Sequence, residues 1–194
     1  MKKNLLIAIT GGIGSGKSTV TNLIKENSFL TLSSDEIVSE IYKERKIKKL
    51  LRLLFPTAVT GRIKLTIDRA EIAKQVFADK EKHRQLTELI TPIVMARIIA
   101  VYKAVGGVIF AEVPLLFECE FQKYFDKVIV VTREKEKRIE SAMLRSHLTR
   151  EQVESRINNQ VDYDSLDLTP YTVIENNGTT DDLKEKVNQI INSL

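Results

Sequence analysis

The sequence predicts an α/β fold organised around a parallel sheet, and three observations carry that prediction. Residues 11–18 fit the pattern G-x-x-x-x-G-K-[ST] without a mismatch, between an apolar run and a helical one. Five short apolar segments alternate with segments of helical periodicity, the pattern of a sheet covered by crossover helices. The second and third of those segments stand about 75 residues apart. A parallel crossover needs only about a dozen, so a helical lobe is inserted there.

Taken in order, residues 5–9 read as a short buried strand, and the glycine loop follows at once. Its glycines let the backbone bend around an anion and turn successive N–H groups inward. Val20, Leu23 and Ile24 recur at helical spacing, and that helix adds its positive N-terminal end. Gly12, Gly14, Ser15, Gly16 and Thr19 are therefore candidate nucleotide contacts. Lys17 can reach the β- and γ-phosphates, and the Ser18 hydroxyl can ligate Mg²⁺. The further strands are 29–32, 108–113, 127–131 and 171–174. Helical periodicity runs over 37–54, 68–77, 81–102, 134–144, 149–159 and 180–191, with a polar loop at 57–64. Pro92 fits the first turn of a new helix capped by Thr91, which predicts a break inside 81–102. Thr149 and Gln152 make a capping box, and Thr180 ahead of Asp181 and Asp182 marks the last helix start.

With 194 residues, the chain suits one well-buried domain with a small inserted lobe. A 43% hydrophobic and 29% charged composition excludes disorder as the default. The net charge of +4 is mild and its basic residues are interleaved with acids, which suits anionic small molecules and argues against nucleic acid. The densest basic stretch, 43–52, holds Arg45, Lys46, Lys48 and Lys49. A solvated helix face and a phosphate-attracting patch both fit it. The single Cys119 excludes an intrachain disulfide and fits a reducing compartment, as a buried or incidental thiol. His83 and His147 alone do not make a zinc site. Met1-Lys2-Lys3 and the short apolar run after it imitate a signal peptide, but the run is too short and enters the glycine loop. No window reaches membrane-spanning length. A cytoplasmic protein is expected.

A phosphate loop by itself implies nucleotide binding and no particular reaction. The Asn-Lys-x-Asp and Asp-x-x-Gly strings of a GTPase are missing, and an ATPase motor wants more chain. A small kinase needs a carboxylate for the acceptor proton and a mobile arginine segment that shields the transferring group. Asp35, just past the second strand, is the candidate base, with helix capping as its other reading. Glu112 ends the third strand, either organising Mg²⁺ through water or simply solvated. Arg145 and Arg150 bracket a helix–helix connection, with Arg138 before it and Arg156 after it, which defines a lid region at approximately 138–160. A guanidinium there can hold phosphate oxygens bidentately, though solvated charge explains such arginines equally.

These residues together resemble the dephospho-CoA kinase family over essentially the whole chain. The opening from Ile9 to Thr19, the Asp68-Arg69 pair, the string Val113-Pro-Leu-Leu-Phe-Glu118, Arg145, Arg156 with Gln160, and Asn176-Asn177-Gly178 carry the resemblance. Two positions depart from it: Ser33 stands where the family has the first acid of Asp-x-Asp, and Thr91-Pro92 where it has His-Pro. The resemblance implies a P-loop kinase fold with a single domain over 1–194, an inserted helical substrate lobe at approximately 36–104, and an arginine-bearing lid. It implies ATP and Mg²⁺ as cofactors and phosphorylation of the ribose 3′-hydroxyl of dephospho-CoA, giving CoA and ADP. Lys17, Asp35 and Arg145 would be catalytic, and Arg138 or Arg156 would assist from the lid. Arg69 and Glu118 would contact the acceptor, and Asn177 would lie on the adenine side. A monomer or weak homo-oligomer, with no nucleic-acid or membrane partner, is expected. The rivals are another small kinase, acting on a nucleoside monophosphate or small alcohol, and an ATP-sensing module without transfer.

Overall fold

The computed structural model describes residues 4–194; Met1-Lys2-Lys3, the basic start that imitates a signal peptide, lies outside them. Two compact units emerge, one formed by the chain up to Ser33 with Ala104–Leu194, the other by Ser34–Lys103.

The first unit is built on a five-stranded sheet of order β2-β5-β1-β6-β7. Its strands are β1 (Leu5–Thr10), β2 (Leu30–Ser33), β5 (Val108–Glu112), β6 (Lys127–Thr132) and β7 (Thr172–Glu175), and every pairing is parallel. β1 occupies the centre, with Leu5 opposite Val108 in β5 and Ile7 opposite Lys127 in β6. A central parallel strand is covered on both faces, and Ile7, Ala8 and Ile9 are accordingly fully buried. α1 (Lys17–Glu26) and α8 (Thr180–Asn192) pack together over one face. Val20 and Ile24 of α1 and Leu183 and Val187 of α8 meet Ile7, Ile9, Ile129 and Val131 of the sheet there. Burial of each such aliphatic side chain is worth about 1.5–3 kcal/mol. α6 (Lys135–Ser146) and α7 (Arg150–Asn158) form a helical hairpin, and a short 3₁₀ turn, Phe121–Tyr124, precedes β6.

The second unit holds α2 (Ser34–Ile41), α3 (Arg45–Leu54), a two-residue hairpin of β3 (Val59–Thr60) and β4 (Thr66–Ile67), α4 (Arg69–Ala78) and most of α5 (Lys80–Val105). Two expectations for this lobe need correction. The stretch 37–54 is two helices, because the apolar stripe of Val38 and Ile41 meets only charge at Glu44, Arg45 and Lys48, and restarts out of phase at Ile47 and Leu51. Conversely, the predicted break at Thr91-Pro92 is missing, and α5 runs through Pro92. An interior proline costs about 3 kcal/mol, yet Ile90, Val94, Met95 and Ile98 are buried on both sides of it and offset that cost. Thr91 Oγ1 also donates to the Thr87 carbonyl at 2.6 Å. One smaller shift occurs in the first unit, and the predicted start of the last helix at Thr180 holds. β2 starts at Leu30, leaving Phe29 edge-on against Phe110 at 5.5 Å between ring centroids. The last helix is capped by Thr179, whose side chain and Asp182 form a reciprocal capping box, so Thr180 is its first residue.

Candidate active site

The glycine loop joins β1 to α1 at the C-terminal end of the central strand, where an α/β sheet presents its ligand sites. Gly16 adopts φ 97° directly before Lys17, a conformation that glycine alone takes at little cost, and an added Cβ would meet the Asn176 amide. Asn176, just past β7, donates its Nδ2 to the Ser15 carbonyl at 2.8 Å and so fixes the loop from the side. Lys17 is buried and turned back onto the loop, its Nζ donating to the Gly11 carbonyl at 2.7 Å and the Gly12 carbonyl at 3.0 Å. Ser18 and Thr19, in the first turn of α1, are exposed.

The tip of the loop is held more firmly than its glycine content implies. Ile13 donates its N–H to Gln160 Oε1 at 2.7 Å and receives the Arg138 Nε–H on its carbonyl at 3.1 Å. Its side chain packs against Ile139, Ala142 and Val153, the small core of the α6–α7 hairpin. Arg138 is itself buried, its guanidinium lying where a side chain on Gly12 would go. It therefore belongs to the floor of the loop rather than to a moving segment. Beside it, Thr10 Oγ1 and the Tyr163 hydroxyl share a hydrogen bond of 3.1 Å inside the protein. Burial pushes the Tyr163 phenol up to about 12, against the opposing pull of the Thr10 bond.

The remaining arginines of the hairpin sort by environment. Arg150 is held by both oxygens of Glu136, at 2.9 and 2.8 Å, and by Glu154. Arg145 is exposed in the last turn of α6, and Arg156 is half-buried on α7. Glu112, at the end of β5, accepts the Thr21 hydroxyl of α1 at 3.2 Å. Glu118 Oε1 accepts the Val161 N–H at 3.0 Å, tying the loop after β5 to the segment beyond α7. Asn177 Oδ1 accepts the Glu134 N–H at 2.9 Å, joining the turns before α6 and after β7. Among the described residues, no group of three or more His, Cys, Asp or Glu side chains could hold a metal ion unaided.

Within the second unit, Asp35 is exposed in the first turn of α2, two residues beyond the end of β2. Arg69 opens α4, which Asp68 caps by accepting the Glu71 N–H at 3.0 Å. The Arg69 guanidinium lies 5.4 Å from the centre of the Tyr42 ring and donates to Ser39 Oγ at 3.2 Å.

The sequence model of the dephospho-CoA kinase family matches residues 5–182. The chain belongs to the dephospho-CoA kinase family. It is 31% identical to the dephospho-CoA kinase of Fusobacterium nucleatum over 98% of both chains, and 32% identical to that of Thermus thermophilus over 100% of this chain and 93% of the other. A Thermus thermophilus crystal structure superposes with a TM-score of 0.84 at 30% identity, covering 100% of this chain and 99% of that one. Dephospho-CoA kinase from Campylobacter jejuni gives a TM-score of 0.69 at 25% identity, over 97% and 96% of the two chains. A shikimate kinase from Acinetobacter baumannii, 18% identical with a TM-score of 0.54, shares the fold.

Set beside dephospho-CoA kinases, the two departures noted in the sequence occupy ordinary structural positions. Ser33 ends β2 opposite Glu112 of β5, and Thr91 lies inside α5. Tyr163 and Thr10 escaped notice in the sequence because 153 residues separate them. The one local hint was a small polar residue ending an otherwise apolar strand just before the glycine loop.

Proposed function

We propose that the protein transfers the γ-phosphoryl group of ATP to the ribose 3′-hydroxyl of dephospho-CoA, releasing CoA and ADP, the last step of CoA synthesis. The observation that carries the reading is a family match over 5–182 lying on an intact phosphate loop. In the reaction the O3′–Pγ bond forms, the bond from Pγ to the ADP oxygen breaks, and the hydroxyl proton passes to a base.

Each role falls to a residue already described. The inward N–H groups of the loop and the end of α1 receive the phosphates, with Gly12, Gly14, Ser15, Gly16 and Thr19 as contacts. Ser15 Oγ is buried with no hydrogen-bond partner among the described residues, an oriented donor suited to a phosphate oxygen. Lys17 exchanges its carbonyl partners for the β- and γ-phosphates, a small movement of a flexible stem. Asp35 orients the 3′-hydroxyl and takes its proton. Arg145 offsets the charge of the transferring group, assisted by Arg156, while Arg138 keeps the loop in shape. Arg69 and Glu118 contact the acceptor, Asn177 the adenine side, and residues 36–104 form the acceptor lobe.

The Ser18 hydroxyl and the Glu112 carboxylate fit an Mg²⁺ held mainly by nucleotide oxygens and water, which needs few protein ligands. When bound, the ion supplies neutralisation of phosphate charge. In this reading the region 138–160 covers the site and excludes water, the enzyme is a monomer or weak homo-oligomer, and it works in the cytoplasm. Among the described residues, no helix is long and apolar enough to cross a membrane. A coupled ADP-release assay with dephospho-CoA, AMP, CMP, shikimate and pantothenate tests the assignment. Turnover with dephospho-CoA alone is expected, and turnover with another acceptor in its place would overturn it.

A further inference from the structure

No single residue of the basic stretch at 43–52 carries a step of the reaction above, and the fold of the second unit extends the stretch. Arg45, Lys46, Lys49 and Arg52 of α3 border a groove of about 560 Å³, and Arg62 of the β3–β4 hairpin lines it with them. From 45 to 67 the chain carries seven Lys and Arg and no Asp or Glu. Two aliphatic side chains stand out of this surface, Leu53 at 80% exposure and Ile63 at 91%. They are not frayed pieces of a core, since α3 buries Ile47 and Leu51 on its other side. The surface is also built to hold its shape. Arg52 donates to the Gly61 carbonyl at 3.0 Å and Lys48 to the Leu65 carbonyl at 3.0 Å, fastening helix to hairpin at two points.

We propose that this face docks on an anionic phospholipid surface, with Leu53 and Ile63 entering the headgroup boundary and the surrounding cations meeting lipid phosphates. A short basic segment that offers aliphatic tips among Lys and Arg fits the interface of a charged bilayer. Nucleic acid would neutralise the cations but leave both aliphatic side chains in water. Leu53 and Ile63 line the groove as well, and a small phosphate compound with no apolar part would leave both facing water. Each Lys or Arg close to an anionic leaflet strengthens binding about fivefold, so several acting together suffice for peripheral attachment. The substrates remain soluble, and the surface works independently of the kinase assignment.

Flotation of the full chain with vesicles tests the idea, comparing phosphatidylcholine alone with phosphatidylcholine containing about one-third phosphatidylglycerol at physiological salt. Binding to the anionic vesicles only, weakened by added salt, is expected. Lys49→Glu with Arg52→Glu should abolish flotation. Leu53→Ser with Ile63→Ser should reduce it severalfold at unchanged charge. Both variants should keep their melting temperature within a few degrees, so that lost flotation reports the surface and not the fold. Absence of flotation, equal flotation with neutral vesicles, or binding indifferent to the two serine substitutions would overturn the proposal. So would preferential capture by RNA or a polyacidic peptide that ignores Leu53 and Ile63.

Discussion

Asp35→Asn separates a chemical role from a structural one. The residue is exposed inside the first turn of α2 and is not the residue that caps it. Its charge can stabilise the folded state only through the dipole of a short helix, a contribution of about 0.3–1 kcal/mol at such positions. For a chain of this size about 1 kcal/mol moves the melting temperature roughly 2–4 °C. The amide variant should therefore melt within about 4 °C of the parent and bind ATP normally. Turnover should behave quite differently. Loss of a positioned general base costs about a hundredfold to ten-thousandfold, and Ser33 leaves no neighbouring carboxylate on β2 to substitute. The measurements are a thermal melt, ATP binding by calorimetry and ADP release with saturating dephospho-CoA. A variant that binds ATP and turns over like the parent would refute the reasoning, and the proton would have to go to Glu112 or to water.

Lys17→Ala should fold, yet lose about a hundredfold or more in turnover, since a preorganised donor to the phosphates is gone; an active, folded variant would remove Lys17 from the mechanism. Arg145→Lys should lower kcat more than it raises KM for ATP, because lysine keeps the charge without the planar fork; a pure KM effect would make the contact a ground-state one. Gln160→Leu strips the acceptor from the Ile13 N–H, and about 1 kcal/mol of stability should go with it, together with a higher KM for ATP; an unchanged melt and KM would show that the contact matters little. Tyr163 has its folded pKa raised above the ordinary 10.0, to about 12. Its contribution is therefore complete below pH 10 and lost as pH climbs from 10 towards 12. Tyr163→Phe should flatten that part of the stability profile in urea titrations, and parallel profiles for the two proteins would contradict the burial argument.

How much of this was legible in the sequence depended on the range of the signal. The loop, its strand and its helix are contiguous, and the five parallel strands announce themselves by apolar runs that a doubly covered sheet requires. Helix ends were less secure. Reading 37–54 as one helix followed the apolar count and overlooked its phase, which slips between Ile41 and Ile47. The break expected at Pro92 followed local propensity, which the burial of Ile90 and Val94 overrides. The hairpin of Val59–Thr60 with Thr66–Ile67 is too short to show alternation at all. The contacts that shape the loop were invisible for a different reason. Gln160 meets Ile13 across 147 positions and Arg138 meets it across 125, and no periodicity marks such pairs.

Those two contacts fall on the N–H and the carbonyl of one residue, and they couple the α6–α7 hairpin to the glycine loop. With Ile13 wedged among Ile139, Ala142 and Val153, the α6–α7 pair cannot lift without dragging the glycine loop out of shape. Lifting the hairpin and loosening the glycine loop are then a single transition. Reciprocity follows: whatever free energy a nucleotide gains from a tightened loop is returned as resistance of the hairpin to unfolding. The grip on a phosphate would be felt two helices away, as slower exchange of amide protons in α7.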